Sequence, residues 1–587
     1  RLYTFRQEIT QMAITKVTGS LLGNYTVGTS NVVVGNTAGD SLQSGGIDNT
    51  VVGDEAGTAI TTGRFNTLIG KAAGDALNDA DSNVAIGRGA LSSDTQGSQS
   101  TAIGTLALTA QNFTSATDAY NVAVGAEAGK AVTTGTDNTI IGGLAGDAST
   151  TGAGNTFIGK EAGTSNTTGG DNVAVGKGSL KTNTTASNNI AIGKDALELN
   201  TTGAANVAIG NFALDSNTTA NDNVAVGHDA LQANTTGALN TAVGTSALGA
   251  NTTADSNNAF GRRALYTNTT GAQNTALGYL SLYLNTTASY NTSVGVSSMQ
   301  SNTTGAKNTS VGYGALTSNT TGTENVVVGE VALDSNTTGS YNTAIGRHSL
   351  SSATTASNNT AVGRNAMGDN TTGAGNTALG KDAGAAITTG ANNICIGIDC
   401  GDTTTTGDTN ILIGNTARAS ASGGANQISM GVVVTCVGDN NFTFGNQGTD
   451  SNIAFGATSI TAPSDIRLKE DIQDEEVGLN FINDLRPVTF LWKKEKDIPS
   501  HFDSYKEGSE ERTMNGKHNH GFIAQEVKAT IDAHNLKDGF EMWQENESDG
   551  RQRVAPAALM SVMVKAVQEL STQVDELKQE LSALKGE

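Results

Sequence analysis

Few residues in this 587-residue sequence are placed for chemistry. His518 and His520 form a His-x-His pair that would suit a metal, but no third ligand accompanies them, and a zinc site needs three or four. Cys395, Cys400 and Cys436 are too few and odd in number for a disulfide framework and lack zinc-ligand companions, so they read as small apolar residues. Asn166, Asn183, Asn200 and Asn217 each open an Asn-Thr-Thr triplet that matches the glycosylation sequon, although a turn requirement accounts for them fully. The glycine-aspartate spacing of calcium-binding β-rolls is absent. Ser464-Asp465 reads, on residue types alone, as a helix cap, and Lys469 as a solvated charge. No cofactor and no metal are expected.

The segments that carry these residues are of two kinds. Only 36% of the chain is hydrophobic, 4% aromatic and 15% charged, with 73 glycines, whereas an ordinary globular enzyme carries about 45–50% apolar and about 25% charged residues. From Ser464 to the end there are 16 Lys+Arg and 25 Asp+Glu, which leaves 18 and 31 for the 463 residues before. All four prolines and both tryptophans lie at or beyond Pro463, and 66 glycines lie before it. Two physically different objects are therefore joined near residue 463. The net charge of -22 argues against nucleic acid or an anionic membrane as partner. No window of about 18 apolar residues and no export signal is found, so neither membrane insertion nor secretion is expected.

A glycine that closes a short apolar run recurs at Gly35, Gly53, Gly70, Gly87, Gly104 and Gly125, then every seventeenth residue to Gly414, which makes 23 coils. An asparagine stands four residues before the glycine in 22 of them, as at Asn206, Asn223, Asn240, Asn257 and Asn274; Ser100 is the exception. The residue before the glycine is bulky (Ile209, Val226, Phe260, Leu277) and the one before that is small (Ala208, Ala225, Ala259, Ala276). This alternation predicts a short strand, with the bulky face filling the coil and the small face open to close approach. The Ala-Leu pair that follows, as at Ala247-Leu248, predicts a second, shorter strand, and Asn-Thr-Thr-Gly a turn. Stacking would align the asparagines as an amide ladder. At about 4.8 Å per rung the stack would be on the order of 110 Å long. So thin a coil encloses little apolar volume, and several identical chains packed together would remedy that. The repeats resemble the parallel β-roll heads of trimeric autotransporter adhesins and the shaft repeats of phage tail fibres. That resemblance implies a homotrimer.

After Gly414 the period decays through NQISMG, NNFTFG and SNIAFG, which read as a β-rich transition over 415–463. Then follow SDIRLKEDI from Ser464, LNFINDLRPVTFLWK, GFIAQEV and a terminal helix whose apolar residues Met563, Val567, Leu570, Val574, Leu577, Leu581 and Leu584 alternate by four and three. That spacing is a coiled-coil seam over 560–585, and valine with leucine along it leans by itself toward two strands. Phe481, Phe490 and Trp492 read as core. The strings resemble the peptidase S74 domain, the intramolecular chaperone of endosialidase found at the end of phage tail spikes and fibres. The resemblance implies a trimer that guides folding of the preceding fibre and then cuts itself off. By residue match Ser464 would be the nucleophile and Lys469 its general base, acting on the Pro463-Ser464 bond. Gln525 and Glu526 would support either that geometry or the domain fold.

The expected protein is thus mainly β: an N-terminal attachment segment over 1–30, a seventeen-residue-repeat solenoid over 31–414, the transition, and a small α+β chaperone domain over 464–587. Its implied partners are further copies of itself, a host-surface glycan or protein receptor, and other tail or baseplate proteins, and its implied place is the virion. No turnover of an external substrate is expected, and the resemblance implies one Ser-Lys autoproteolysis. A bacterial surface adhesin is less favoured, since the C-terminus lacks strands for a membrane anchor. A glycan depolymerase is less favoured too, since the coils offer no carboxylate pair.

Overall fold

The computed structural model describes residues 30–586 apart from 503, 515, 537–539 and 547–549. All of the attachment segment except Ser30 lies outside the described residues. The chain forms two compact units with their boundary between Pro463 and Ser464.

The first unit is a solenoid. Each coil gives one three-residue strand to a sheet of 26 strands, from Val32–Val34 through Ile411–Ile413 and on to Ser451–Ala454. Neighbouring strands pair in parallel and in register, Ala208 with Ala225 and Ala225 with Ala242. The period runs one coil beyond Gly414, because Ile428–Val432 pairs with Ile411–Ile413 at the same spacing. Asn441–Asn446 then joins through a shorter coil, and Ser451–Ala454 folds back antiparallel, ending the parallel ladder.

The strand faces are the reverse of the sequence expectation. Ala208, Ala225, Ala242, Ala259 and Ala276 are fully buried, while bulky Ile209, Phe260 and Leu277 point outward at 37%, 40% and 49% exposure. A three-residue strand turns only its middle side chain inward, and a seventeen-residue coil has room there for a methyl beside the buried leucine that follows. In several coils where glycine replaces the leucine, as at Gly74, Gly146 and Gly163, the middle residue is larger (Leu68, Ile140 and Phe157). Phe157 fills the space over Gly146 and Gly163, and an added methyl on either would stand 2.8 and 2.7 Å from its ring.

The Ala-Leu pair does not form a second strand. Leu248 and Leu265 adopt left-handed backbone, φ 51° and 52°, inside a tight turn. Coil-to-coil bonding persists there without extended chain: the Leu248 amide donates to the Ala264 carbonyl at 3.0 Å and the Leu265 amide to Ser281 at 3.0 Å.

Two amide ladders run along the interior. In the expected one, Asn240 Oδ1 accepts the Asn257 backbone N–H at 2.9 Å, and Asn240 Nδ2 donates to the Ala254 carbonyl at 2.9 Å and to Asn223 Oδ1 at 3.2 Å. The same pattern links Asn206, Asn223, Asn257 and Asn274. The second ladder is built by the asparagines of the Asn-Thr-Thr triplets. Asn217 Nδ2 donates to Asn200 Oδ1 at 2.8 Å and Asn234 Nδ2 to Asn217 Oδ1 at 3.1 Å, and these residues are fully buried. Reading them only as turn formers missed this, and their burial closes the sequon to a glycan in the folded coil. At Ser100 the first ladder is repaired by Gln111, whose Nε2 donates to Ser100 Oγ at 2.9 Å and whose Oε1 accepts from Asn121 Nδ2 at 2.8 Å. The long coil between Gly104 and Gly125 supplies that glutamine.

The glycine that ends each strand is required twice over. Gly244 has φ +133°, which side chains other than hydrogen disfavour, and an added methyl would lie 2.7 Å from the backbone carbon and oxygen of Gly261. Gly244→Ala is expected to destabilise the solenoid by about 3 kcal/mol or more. The exposed neighbour Thr245→Ala should stay within about 0.5 kcal/mol, and thermal unfolding of both variants beside the wild type checks this.

Asp215 follows the buried Leu214 and is pushed up to about 6, first by burial and then by the charges of Glu198, Asp195 and Asp229. A carboxyl raised in the fold binds its proton more tightly folded than unfolded, so its ionisation costs stability above pH 6 and that cost is relieved as the pH falls through 6. Asp215→Asn should therefore raise the melting temperature at neutral pH and shrink the gain seen on acidifying from about pH 7 to about pH 5, as measured by melting curves across that window.

Candidate functional site

The second unit holds its core among three helices, α1 (Leu479–Asp484), α2 (Ala524–Ala533) and α3 (Leu559–Lys585). Phe481, Val527, Ile531, Met542, Leu559 and Val562 are buried together. Glu569 of α3 accepts the Leu479 backbone N–H at 2.7 Å, so a carboxylate caps the positive end of α1 and ties it to α3.

Ser464 opens this unit. Asp465 caps the helical turn Ile466–Leu468, its Oδ1 accepting the Arg467 backbone N–H at 2.9 Å, and the Arg467 guanidinium closes on the same carboxylate. The Arg467 side chain and then its backbone N–H hold the Asp465 carboxyl below its ordinary range. The chain leaves the turn extended at Lys469, whose amide bonds back to the Ile466 carbonyl at 3.2 Å. The six residues from Ser464 to Lys469 thus form one tight turn that sets Lys469 Nζ 2.8 Å from Ser464 Oγ. Both side chains are exposed. The geometry is that of a nucleophile with an adjacent base, and Lys469 is not buried in the single chain.

The GFIAQEV string spans the end of the strand Asn519–Gly521 and the start of α2. Glu526 pairs with Arg486, which holds its carboxyl below the ordinary range, and so fastens α2 to the segment after α1. Gln525 lines a groove of about 1030 Å³ with Phe490, Trp492, His520, Phe522 and Arg553. Phe481 is core, as the sequence suggested, but Trp492 is 36% exposed and meets Phe490 edge-to-face at 5.3 Å on the groove wall. Neither Phe490 nor Trp492 belongs to the packed cluster around Phe481. His520 lies on the strand paired with Val488–Phe490. Among the described residues no group of three or more His, Cys, Asp or Glu could hold a metal ion, and no helix is long and apolar enough to cross a membrane.

On α3, Leu559, Val562 and Ala566 face the core, whereas the seam residues Met563, Val567, Leu570, Val574, Leu577, Leu581 and Leu584 are 41–73% exposed. An apolar cleft of about 190 Å³ between Leu479, Ile482, Met563 and Leu570 continues that row onto α1.

Compared with known families, residues 464–536 match the model described as the chaperone of endosialidase, Peptidase S74. No curated protein and no solved structure gives a match. The chain therefore carries a chaperone-of-endosialidase domain, begun at the serine of the Ser464-Lys469 pair, behind a β-solenoid of seventeen-residue coils.

Proposed function

We propose that this protein is a homotrimeric tail-fibre or tail-spike-like structural protein that binds a host surface, and that its C-terminal domain assembles the solenoid and then releases itself by cleavage before Ser464. The observation that carries this reading is the 2.8 Å contact between Lys469 Nζ and Ser464 Oγ at the first residue of the matched domain.

The chemistry follows from that contact. A neutral Lys469 amine takes the Ser464 hydroxyl proton as Oγ attacks the Pro463 carbonyl carbon. The Pro463-Ser464 C–N bond breaks as the lysine returns the proton to the Ser464 nitrogen, which leaves an ester between the Pro463 carbonyl and Ser464 Oγ. Water then hydrolyses the ester and frees the Pro463 carboxylate. Burial of Lys469 by neighbouring copies would favour the neutral amine that the step needs and so would link cleavage to assembly.

The assembly itself is supported by two unpartnered apolar rows. The α3 seam is open in the single chain, and helical stability comes mostly from packing of an amphipathic face. The outward strand residues of the solenoid form a second row, from Ile209 through Phe260 and Leu277 to Leu379. Three α3 helices would set the chains in register before the slow, non-local coil stacking begins, and loss of the clamp would leave a shaft whose stability is kinetic.

Intact and native mass of the recombinant chain, beside Ser464→Ala and Lys469→Ala, test the cleavage. The expected result is a trimer of residues 1–463 plus a released fragment for the wild type, with both variants whole. A wild type that stays full length overturns the autoproteolysis. Leu577 makes a second test, since it is 62% exposed in the single chain and a surface change there would cost less than about 0.5 kcal/mol. Leu577→Glu is expected instead to abolish the trimer in sedimentation, and a trimer that persists would remove the seam from the account.

A further inference from the structure

The solenoid is regular enough that departures from its pattern stand out, and one group of them converges in space. Five of the seven tyrosines in the repeats fall between Tyr266 and Tyr313. The same stretch is the longest without a carboxylate: no Asp or Glu occurs between Asp255 and Glu324, while Arg262, Arg263 and Lys307 do. The second position after the strand glycine is acidic in many coils, as at Glu161, Asp195, Asp229 and Asp382, and in the coil after Gly261 it is Arg263. Charge is thus reversed at one place along a column of a chain whose net charge is -22.

These side chains touch one another. The Arg263 guanidinium lies 5.7 Å from the Tyr266 ring centroid, and Tyr266 stacks on Tyr283 at 5.7 Å with 9° between the planes. Behind Tyr266 lies Gly249, where an added methyl would come within 3.0 Å of the ring, so the stack is seated on bare backbone. Arg262 covers Tyr279, 5.8 Å from its centroid, and Tyr279 is 42% exposed. Both arginines are exposed. Among the described residues neither forms an ion pair or donates a guanidinium hydrogen bond, and the Tyr266, Tyr279 and Tyr283 hydroxyls have no partner. Guanidinium groups oriented by aromatic rings and left without a carboxylate are preorganised for a carboxylate from elsewhere.

We propose that Arg262, Arg263, Tyr266, Tyr279 and Tyr283 form a binding site for an acidic, uronate-bearing polysaccharide. The inference rests on the host-binding reading above and gives it a place and a ligand class. The arginines would pair with sugar carboxylates, the tyrosine hydroxyls would bond sugar hydroxyls, and the ring surfaces would meet the C–H faces of the pyranoses. Successive contacts along the solenoid recur at the rung spacing of about 4.8 Å, close to the advance of one sugar residue in an extended glycan.

The test is retention of the full chain on immobilised alginate, a polyuronate, with neutral dextran and single-stranded DNA as controls. The wild type is expected to bind alginate, to ignore dextran and DNA, and to release as salt rises. Arg262→Gln/Arg263→Gln should weaken alginate binding by about tenfold or more, and Tyr279→Ala should weaken it with its melting temperature unchanged. No binding to alginate, equal retention on dextran or DNA, or unchanged affinity in the arginine variant each overturns the inference. Native mass of the same samples keeps the two readings apart. A trimer that ignores alginate sinks only this site, a monomeric wild type sinks the fibre reading, and an arginine variant that alone loses the trimer makes the patch a contact between copies.

Discussion

The shaft depends on one close approach. Where each strand ends, the next coil's backbone passes so near that a single methyl would collide with it, and this happens at every rung from Gly35 to Gly414. Only glycine fits there, and only if the coils hold one period. Once that spacing is set, every other column falls into line. Asparagine amides reach their equivalents one rung away, the strands pair without slippage, and the left-handed leucines stack turn upon turn. A one-residue slip would turn Ala242 out and Val243 in, so the period also fixes which side chains are buried.

The same closeness limits the interior. A coil that holds an alanine, a leucine and two asparagines has no room for Ile209 or Leu277, and these bulky residues must go outside. The apolar material that the chain cannot bury within itself is therefore arrayed in a row along its surface, and the terminal helix repeats the situation with its seam. Both halves of the protein thus expose an apolar row in the single chain.

Much of this was readable in the residues. Glycine spacing located each strand to within a residue, and the asparagine before it announced the first ladder. The inward and outward faces were misjudged because alternation shows only that two faces differ; which one is inside depends on the coil's cross-section, and no single strand reveals it. The Ala-Leu pair misled for a related reason, since leucine rarely adopts positive φ and does so here only because rung-to-rung bonds hold Leu248 and its equivalents. The second amide ladder was hidden behind a triplet that suits a turn equally well. At the site, residue types gave only a helix cap at Asp465, which the fold retains. Ser464 and Lys469 were picked out by resemblance, and their contact needed the turn between them. The arginine and tyrosine patch was visible only as irregularities scattered over two coils, which stacking brings together.

Electron cryo-microscopy of the recombinant protein tests the account most directly. It predicts three chains about one axis, each a stack of seventeen-residue coils, with the outward strand residues Val243, Phe260 and Leu277 covered by the neighbouring copies. Single-chain rods with that row open to solvent would contradict it.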